Sequence, residues 1–247
     1  MFYFASDIHL GAGSKAEQRA TEQQFVGWLD RVSAEAEAIF LCGDIFDFWY
    51  EYKRVVPRGF VRTLGKIAEL TDRGVRVVFM AGNHDMWVTD YLAEECGVEL
   101  YTAPTTFSLG STKVHVAHGD NLNIQGNNTL RFMNWVFRSR LARKCFSSLV
   151  HPNLALRFGQ WWSGTSRKKH THDCPSLRDR LLGYLRQYAV EHYAQHGADL
   201  YIFGHLHYVA TFDEQPPQIL FMNDWSRDPH YIALDRSGKA IICQLND

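Results

Sequence analysis

The sequence predicts an α/β fold on three observations. Short apolar, β-branched or aromatic runs alternate with stretches of helical periodicity, a late group of such runs has no helix between its members, and five runs lead into a polar signature. Alternation of strand and helix implies a mostly parallel sheet with helices on its faces. The late group suggests a second, antiparallel sheet packed beside the first.

In chain order, FYFA at 2–5 is expected as the first strand. Phe25, Trp28, Leu29, Val32 and Ala36 recur at helical spacing and predict a helix ahead of a strand AIFL at 38–41. Val61, Leu64, Ile67 and Ala68 repeat that pattern ahead of VRVVFM at 75–80. KVHVA at 113–117 and LYIF at 200–203 are further strands, followed by ILFM at 219–222, YIAL at 231–234 and AIICQ at 240–244. There is no internal repeat.

The 247 residues are long enough to form a single domain without disulfides or a structural metal, since a chain of this size buries roughly 70–75% of its unfolded surface. The five cysteines, Cys42, Cys96, Cys145, Cys174 and Cys243, are odd in number and form no C-x-x-C pair. That argues against a disulfide framework or zinc ribbon and for a reducing compartment. FYFASDIHLG lacks a basic leader, and no run reaches the ~18 apolar residues of a membrane span, so a cytoplasmic protein is expected.

Charge divides the domain. The net charge is -1, yet residues 121–180 hold eleven of the 26 basic residues, two of the 27 acidic ones and seven aromatics. This segment is a basic insert in an otherwise acidic chain, which points to an anionic partner. Within it Leu130, Met133, Val136, Phe137 and Leu141 recur near helical spacing, with Arg131, Arg138 and Arg140 largely off that stripe. Such a helix can face acyl chains and anionic headgroups at once, and WWSGTSRKKH adds two indoles and a cluster of cations.

The polar signatures are SDIH, GDIFD, GNHD, HGD and GHLH, all at the carboxyl ends of strands, where open α/β sheets place ligands. One alone is a turn signal. Five together collect aspartate, asparagine and histidine with no thiolate, a set suited to manganese, iron or zinc, with more ligands than one ion needs. Two ions sharing a carboxylate can activate water, polarise a phosphoryl oxygen and neutralise charge as a P–O bond breaks, so hydrolysis of a phosphate ester or anhydride is expected.

In this order the motifs resemble the calcineurin-like metallophosphoesterase superfamily. The resemblance implies a β-sandwich flanked by helices (αββα), with Asp7, His9 and His207 on one ion, Asn83, His118 and His205 on the other, and Asp44 bridging. His205 and His207 would therefore reach different ions. His84 is expected beside the substrate phosphate, with Asp44 and Asn83 completing the catalytic group and Asp47 and Asp85 either orienting it or acting as local caps.

Within the superfamily, the compact length, GDIFDFWYEY and a helical insertion between HGD and GHLH resemble the UDP-2,3-diacylglucosamine pyrophosphohydrolases of bacterial lipid A biosynthesis. That resemblance implies hydrolysis of the UDP-linked diacyl sugar to 2,3-diacylglucosamine 1-phosphate and UMP with two divalent ions, manganese foremost and iron or zinc as alternatives. It also implies a peripheral place on the cytoplasmic face of the inner membrane, with 121–180 as a helical lid over the acyl chains. Asn83, His84, Arg157, Ser163, Ser166, Arg167, Lys168 and Lys169 are the expected substrate contacts, with neither nucleic acid nor an obligate protein partner. The chain has His84 where the best-known members carry arginine, a change that keeps a cation within reach of phosphate.

The alternative is an enzyme of the same fold acting on a soluble nucleotide, a phosphoprotein or a nucleic-acid phosphodiester. An insert enclosing an apolar slot favours the lipid, and a solid insert with an open basic groove favours the alternative. A non-catalytic scaffold is disfavoured because all seven ligand positions are filled.

Overall fold

Alternate side chains of the strand Phe2–Ala5 (β1) enter different cores: Tyr3 and Ala5 pack towards helices, while Phe2 and Phe4 pack towards a second sheet. The structure, a computed structural model, describes residues 1–120, 122, 139–169, 175–213, 215–226 and 228–245. After β1 come helix Lys15–Ser33 (α1), strand Ala38–Cys42 (β2), helix Val61–Asp72 (α2), strand Arg76–Met80 (β3), helix Tyr91–Cys96 (α3) and strands Glu99–Tyr101 (β4), Thr105–Leu109 (β5) and Thr112–Ala117 (β6). Helices Arg140–Leu149 (α4), Pro152–Lys169 (α5) and Pro175–His196 (α6) follow. The chain then returns through Leu200–Phe203 (β7), Ala210–Phe212 (β8), Gln218–Phe221 (β9), His230–Leu234 (β10) and Ala240–Gln244 (β11).

Local sequence explains the helix ends. Ser14 and Glu17 form a reciprocal capping box at the start of α1, and Ser139 caps α4 by accepting from the Ala142 N–H. α5 opens on Pro152, whose missing N–H has no helical partner to lose there. α1 stops at Ser33, so Ala36 packs against the core from beyond the helix rather than within it.

One sheet has the order β11-β10-β1-β2-β3-β4 and the other β5-β6-β7-β9-β8. Phe25, Trp28 and Leu29 of α1 and Ile67 and Leu70 of α2 cover the outer face of the first sheet. Phe4, Phe40 and Val78 meet Val114, Val116, Ile202 and Leu220 between the sheets. Leu185 and Ala189 of α6 cover Tyr201, Phe203 and Phe221 on the far side, which completes the expected αββα layering.

The expectation of a separate antiparallel sheet from the late strands is corrected. β10 extends the first sheet antiparallel to β1 and β11 continues it antiparallel to β10, whereas β6, β7 and β9 run parallel to one another in the second. The β6–β7 link is closed by the long crossover that ends in α6, and the β7–β9 link by the connection through β8, which pairs antiparallel to β9. The sequence reading also passed over β4, β5, β8 and α3, all short.

Candidate metal centre

Six parallel strands, β1 to β3 in one sheet and β6, β7 and β9 in the other, bring their carboxyl-end residues together. Past the strand ends the backbones stay tied, with Asp7 N donating to Gly43 O at 3.1 Å, His9 N to Asp44 O at 3.0 Å and Gly204 N to His118 O at 3.1 Å. Gly204 is required there, because a Cβ would lie 2.1 Å from Ser6 Oγ and 2.5 Å from an Asp7 carboxylate oxygen.

Left-handed backbone conformation, rare outside glycine, occurs at Asp7, His9, Asp44, His205 and His207, with φ between 49° and 65°. This separates residues i and i+2, which would share one face in an extended strand. Donor atoms of Asp7, His9 and His207 lie within 4.8 Å of one another, as do those of Asp44, His118 and His205. A third group, His9, Asp44 and His84, joins the two. His207 Nε2 is 3.1 Å from Asp7 Oδ1, and His118 Nε2 is 3.3 Å from Asp44 Oδ2 and 3.1 Å from Asn83 Oδ1.

The arrangement fits divalent cations. Asp7, Asp44, Asp47, Asp85 and Asp224 are all buried around it, and carboxylates are held in such a place by pairing or by coordination. Two imidazole nitrogens, Nε2 of His9 and of His207, face each other at 3.3 Å, and buried His9 Nδ1 has no hydrogen-bond partner. Oxygen and nitrogen donors without thiolate suit first-row divalent ions.

Charge pairing shifts the titrations. Burial pushes the Asp7 and Asp44 carboxyls up, but contacts with His207 and His118 respectively leave both below the usual carboxylate range. Burial pushes the His118 and His207 imidazoles down, and Asp44 and Asp7 outweigh it, raising both. Asp85 is pushed up to about 7 by burial and by the Asp44 charge. Its carboxylate accepts backbone N–H bonds from Asp44, Ile45, Phe46 and Gly82, so it fastens the GDIF loop to the GNHD loop.

Several features lay outside the sequence reading. Asp224 Oδ2 lies 3.5 Å from His207 Nδ1, placed to orient that ring. Its signal was present, since MND follows the run ILF as the other signatures follow theirs. Ser6 Oγ, 3.1 Å from Cys42 O, helps hold β1 to β2 at their ends. Buried Glu51 accepts from Trp49 Nε1 at 2.8 Å and from Thr89 N at 2.9 Å, fixing the WYEY segment to the stretch after GNHD.

GDIFDFWYEY is the seat of the insert. Tyr50 OH donates to Arg143 O at 3.0 Å, Tyr52 OH to Val150 O at 2.9 Å, and Ser163 Oγ to Asp47 Oδ1 at 2.7 Å. A small pocket opens beside Asn83 and His84 under Phe158 and Ser163. A second, lined by Tyr50, Ala142 and Phe146, shares Phe48, Trp87 and Phe158 with the first. Arg157 is exposed on α5, and the side chains of Ser166, Arg167, Lys168 and Lys169 lie outside the described part of the structure. The stripe from Leu130 to Phe137 is also outside the described residues, while Leu141 is exposed on α4. Among the described residues Cys42, Cys96 and Cys145 are free thiols.

Comparison with known proteins agrees with this geometry. Residues 1–209 match the model of the calcineurin-like phosphoesterase family. The chain is 38% identical over 250 residues to a UDP-2,3-diacylglucosamine hydrolase of Porphyromonas gingivalis, covering 94% of this chain and 93% of that protein. It is 26% identical to the protein of that name in Haemophilus influenzae and 25% identical to that in Stutzerimonas stutzeri, each over 96% of both chains. The chain therefore belongs to the calcineurin-like phosphoesterase family and is a metal-dependent phosphohydrolase.

Proposed function

We propose that this chain hydrolyses the pyrophosphate of UDP-2,3-diacylglucosamine to 2,3-diacylglucosamine 1-phosphate and UMP, with residues 121–180 as a lid over the acyl chains. The observation that carries this reading is the apolar cavity between Tyr50, Trp87, Phe146 and Phe158, which adjoins the cavity beside Asn83 and His84. A phosphate held at the histidines would leave its hydrocarbon chains facing those rings, where burial of each CH2 contributes about 0.8 kcal/mol. The names of the relatives support the same substrate.

Two divalent ions, manganese foremost, are assigned to Asp7, His9 and His207 and to Asn83, His118 and His205, with Asp44 shared between them. When bound, such ions supply activated water and charge neutralisation on the phosphate. His84, 3.9 Å from Asp44 through Nε2, stands where an imidazolium can stabilise developing phosphate charge or protonate the leaving oxygen. Arg157, Arg167, Lys168 and Lys169 are assigned to phosphate or headgroup contact.

The place of action is the cytoplasmic face of the inner membrane, with the protein peripheral. No described helix is long and apolar enough to cross a membrane. Leu149 on α4 and Leu154, Phe158 and Trp161 on α5 nevertheless stay exposed, as an interfacial surface requires.

Purified protein with Mn2+ is expected to release UMP from the lipid substrate, and Asp44→Ala or His118→Ala to reduce that release by at least about a thousandfold, as loss of a metal's charge stabilisation demands. Rapid turnover of nucleotides or simple phosphodiesters with no action on the lipid would overturn the assignment.

A further inference from the structure

Ser163 belongs to the insert, yet it is 1% exposed and its hydroxyl lies between two residues of the catalytic domain. Its Oγ donates to Asp47 Oδ1 at 2.7 Å and lies 2.8 Å from Nδ1 of His84. The same Nδ1 is 2.8 Å from the backbone carbonyl of Asp47. A carbonyl can only accept, so Nδ1 carries a proton, shared between that carbonyl and Ser163 Oγ, while the serine's own proton goes to the Asp47 carboxylate. The ring is thereby fixed with Nε2 towards Asp44.

How α5 comes so near is visible along one face of the helix. Ala155, Gly159 and Ser163, spaced four apart, are all buried. A Cβ on Gly159 would come 2.2 Å from the ring of Phe48, so only glycine lets the helix settle on the Asp47-Phe48 segment. The close approach and the hydroxyl bridge are independent observations with one consequence: the orientation of His84 depends on α5 being seated.

We propose that Ser163 is a positioning residue, whose hydroxyl bridge between Asp47 and His84 couples the seating of α5 to the plane of the His84 imidazole. The role of His84 beside phosphate rests on the reading above; the coupling itself rests on the contacts. It differs from direct substrate contact by Ser163, since the hydroxyl is already engaged by protein groups.

The test compares Ser163→Ala, Ser163→Thr and Gly159→Ala in the Mn2+-loaded full chain, on UDP-2,3-diacylglucosamine and on bis(4-nitrophenyl) phosphate, which has no acyl chain. Ser163→Ala is expected to lower kcat about tenfold to hundredfold on both substrates, the scale of a misplaced catalytic group, with little change in KM for the lipid. Ser163→Thr restores most of the loss by keeping the hydroxyl, and Gly159→Ala reproduces it without removing a polar group. In metal-free protein labelled with 15N-histidine, the Nδ1 proton of His84 is expected to be held in hydrogen bonds, and Ser163→Ala to broaden its signal.

A raised KM for the lipid with unchanged kcat on the diester would make Ser163 a substrate ligand and overturn the proposal. Losses that Ser163→Thr does not rescue, with an unchanged His84 nitrogen spectrum, would reduce Ser163 to a structural role and overturn it equally. If the wild type cleaves the diester and leaves the lipid intact, the substrate assignment fails, while the diester and spectroscopic arms still decide the role of Ser163.

Discussion

At the scale of the residue, the five left-handed ligand candidates hold backbone conformations that cost on the order of 1–3 kcal/mol each, offset by the packing and hydrogen bonds on either side of them. Outside the centre, His115 on β6 is 2% exposed, with Nδ1 2.8 Å from Thr106 Oγ1, Nε2 3.0 Å from Tyr188 OH and its ring 4.1 Å from that of His192. Burial, then the neighbouring His192 and His196, push its pKa down to about 4. In the unfolded chain it titrates near about 6.5. Between these values the unfolded chain binds a proton that the folded chain refuses, so stability is full above pH ~6.5 and is lost as pH falls towards ~4. The loss is on the order of 2 kcal/mol after allowance for solvent screening. Urea unfolding of wild type and His115→Asn across pH 4.5 to 7 is expected to give the variant a shallower pH dependence; parallel curves would remove His115 from the account.

At the scale of the element, GDIFDFWYEY serves two surfaces at once. Asp44 faces the metal centre, while Phe48, Tyr50 and Tyr52 receive α4 and α5. The opposite side of α5 exposes large apolar side chains beside Arg157, with Leu154 61% and Trp161 64% exposed. Burying two such side chains in a bilayer interface contributes about 1.5–3 kcal/mol for each one fully buried. Leu154→Ser with Trp161→Ala is therefore expected to weaken sedimentation with phosphatidylglycerol vesicles about tenfold or more, leaving diester hydrolysis near wild type. Equal vesicle binding by the variant would place the membrane contact elsewhere.

At the scale of the whole molecule, the centre joins the two sheets through side chains from β1, β2, β3, β6 and β7 and the loops beyond them. Cations bound there stabilise the folded chain by mass action, because the unfolded chain has no such cage. Chelation is expected to lower Tm by several degrees, since each kcal/mol moves a domain of this size about 2–4 °C, and restored Mn2+ should reverse it. An unchanged Tm would mean that the ligands are held without a resident ion. Most strands were legible in sequence, and so was the gathering of the seven ligand candidates, because each follows an apolar run that must be buried and so comes to a strand end. Asp224 carried the same mark, but the serine bridge carried none: Ser163 and His84 are 79 residues apart, and nothing local to WWSGTS says what its hydroxyl will face. The pattern of residues by itself thus determined the element types, the donor chemistry and the basic character of the insert, which are properties of neighbours along the chain. Only the tertiary structure decided that the late strands divide between two sheets and that α5 rests on Phe48 and reaches His84. Those outcomes depend on crossovers and close approaches between segments distant in sequence, where packing rather than periodicity selects the partner.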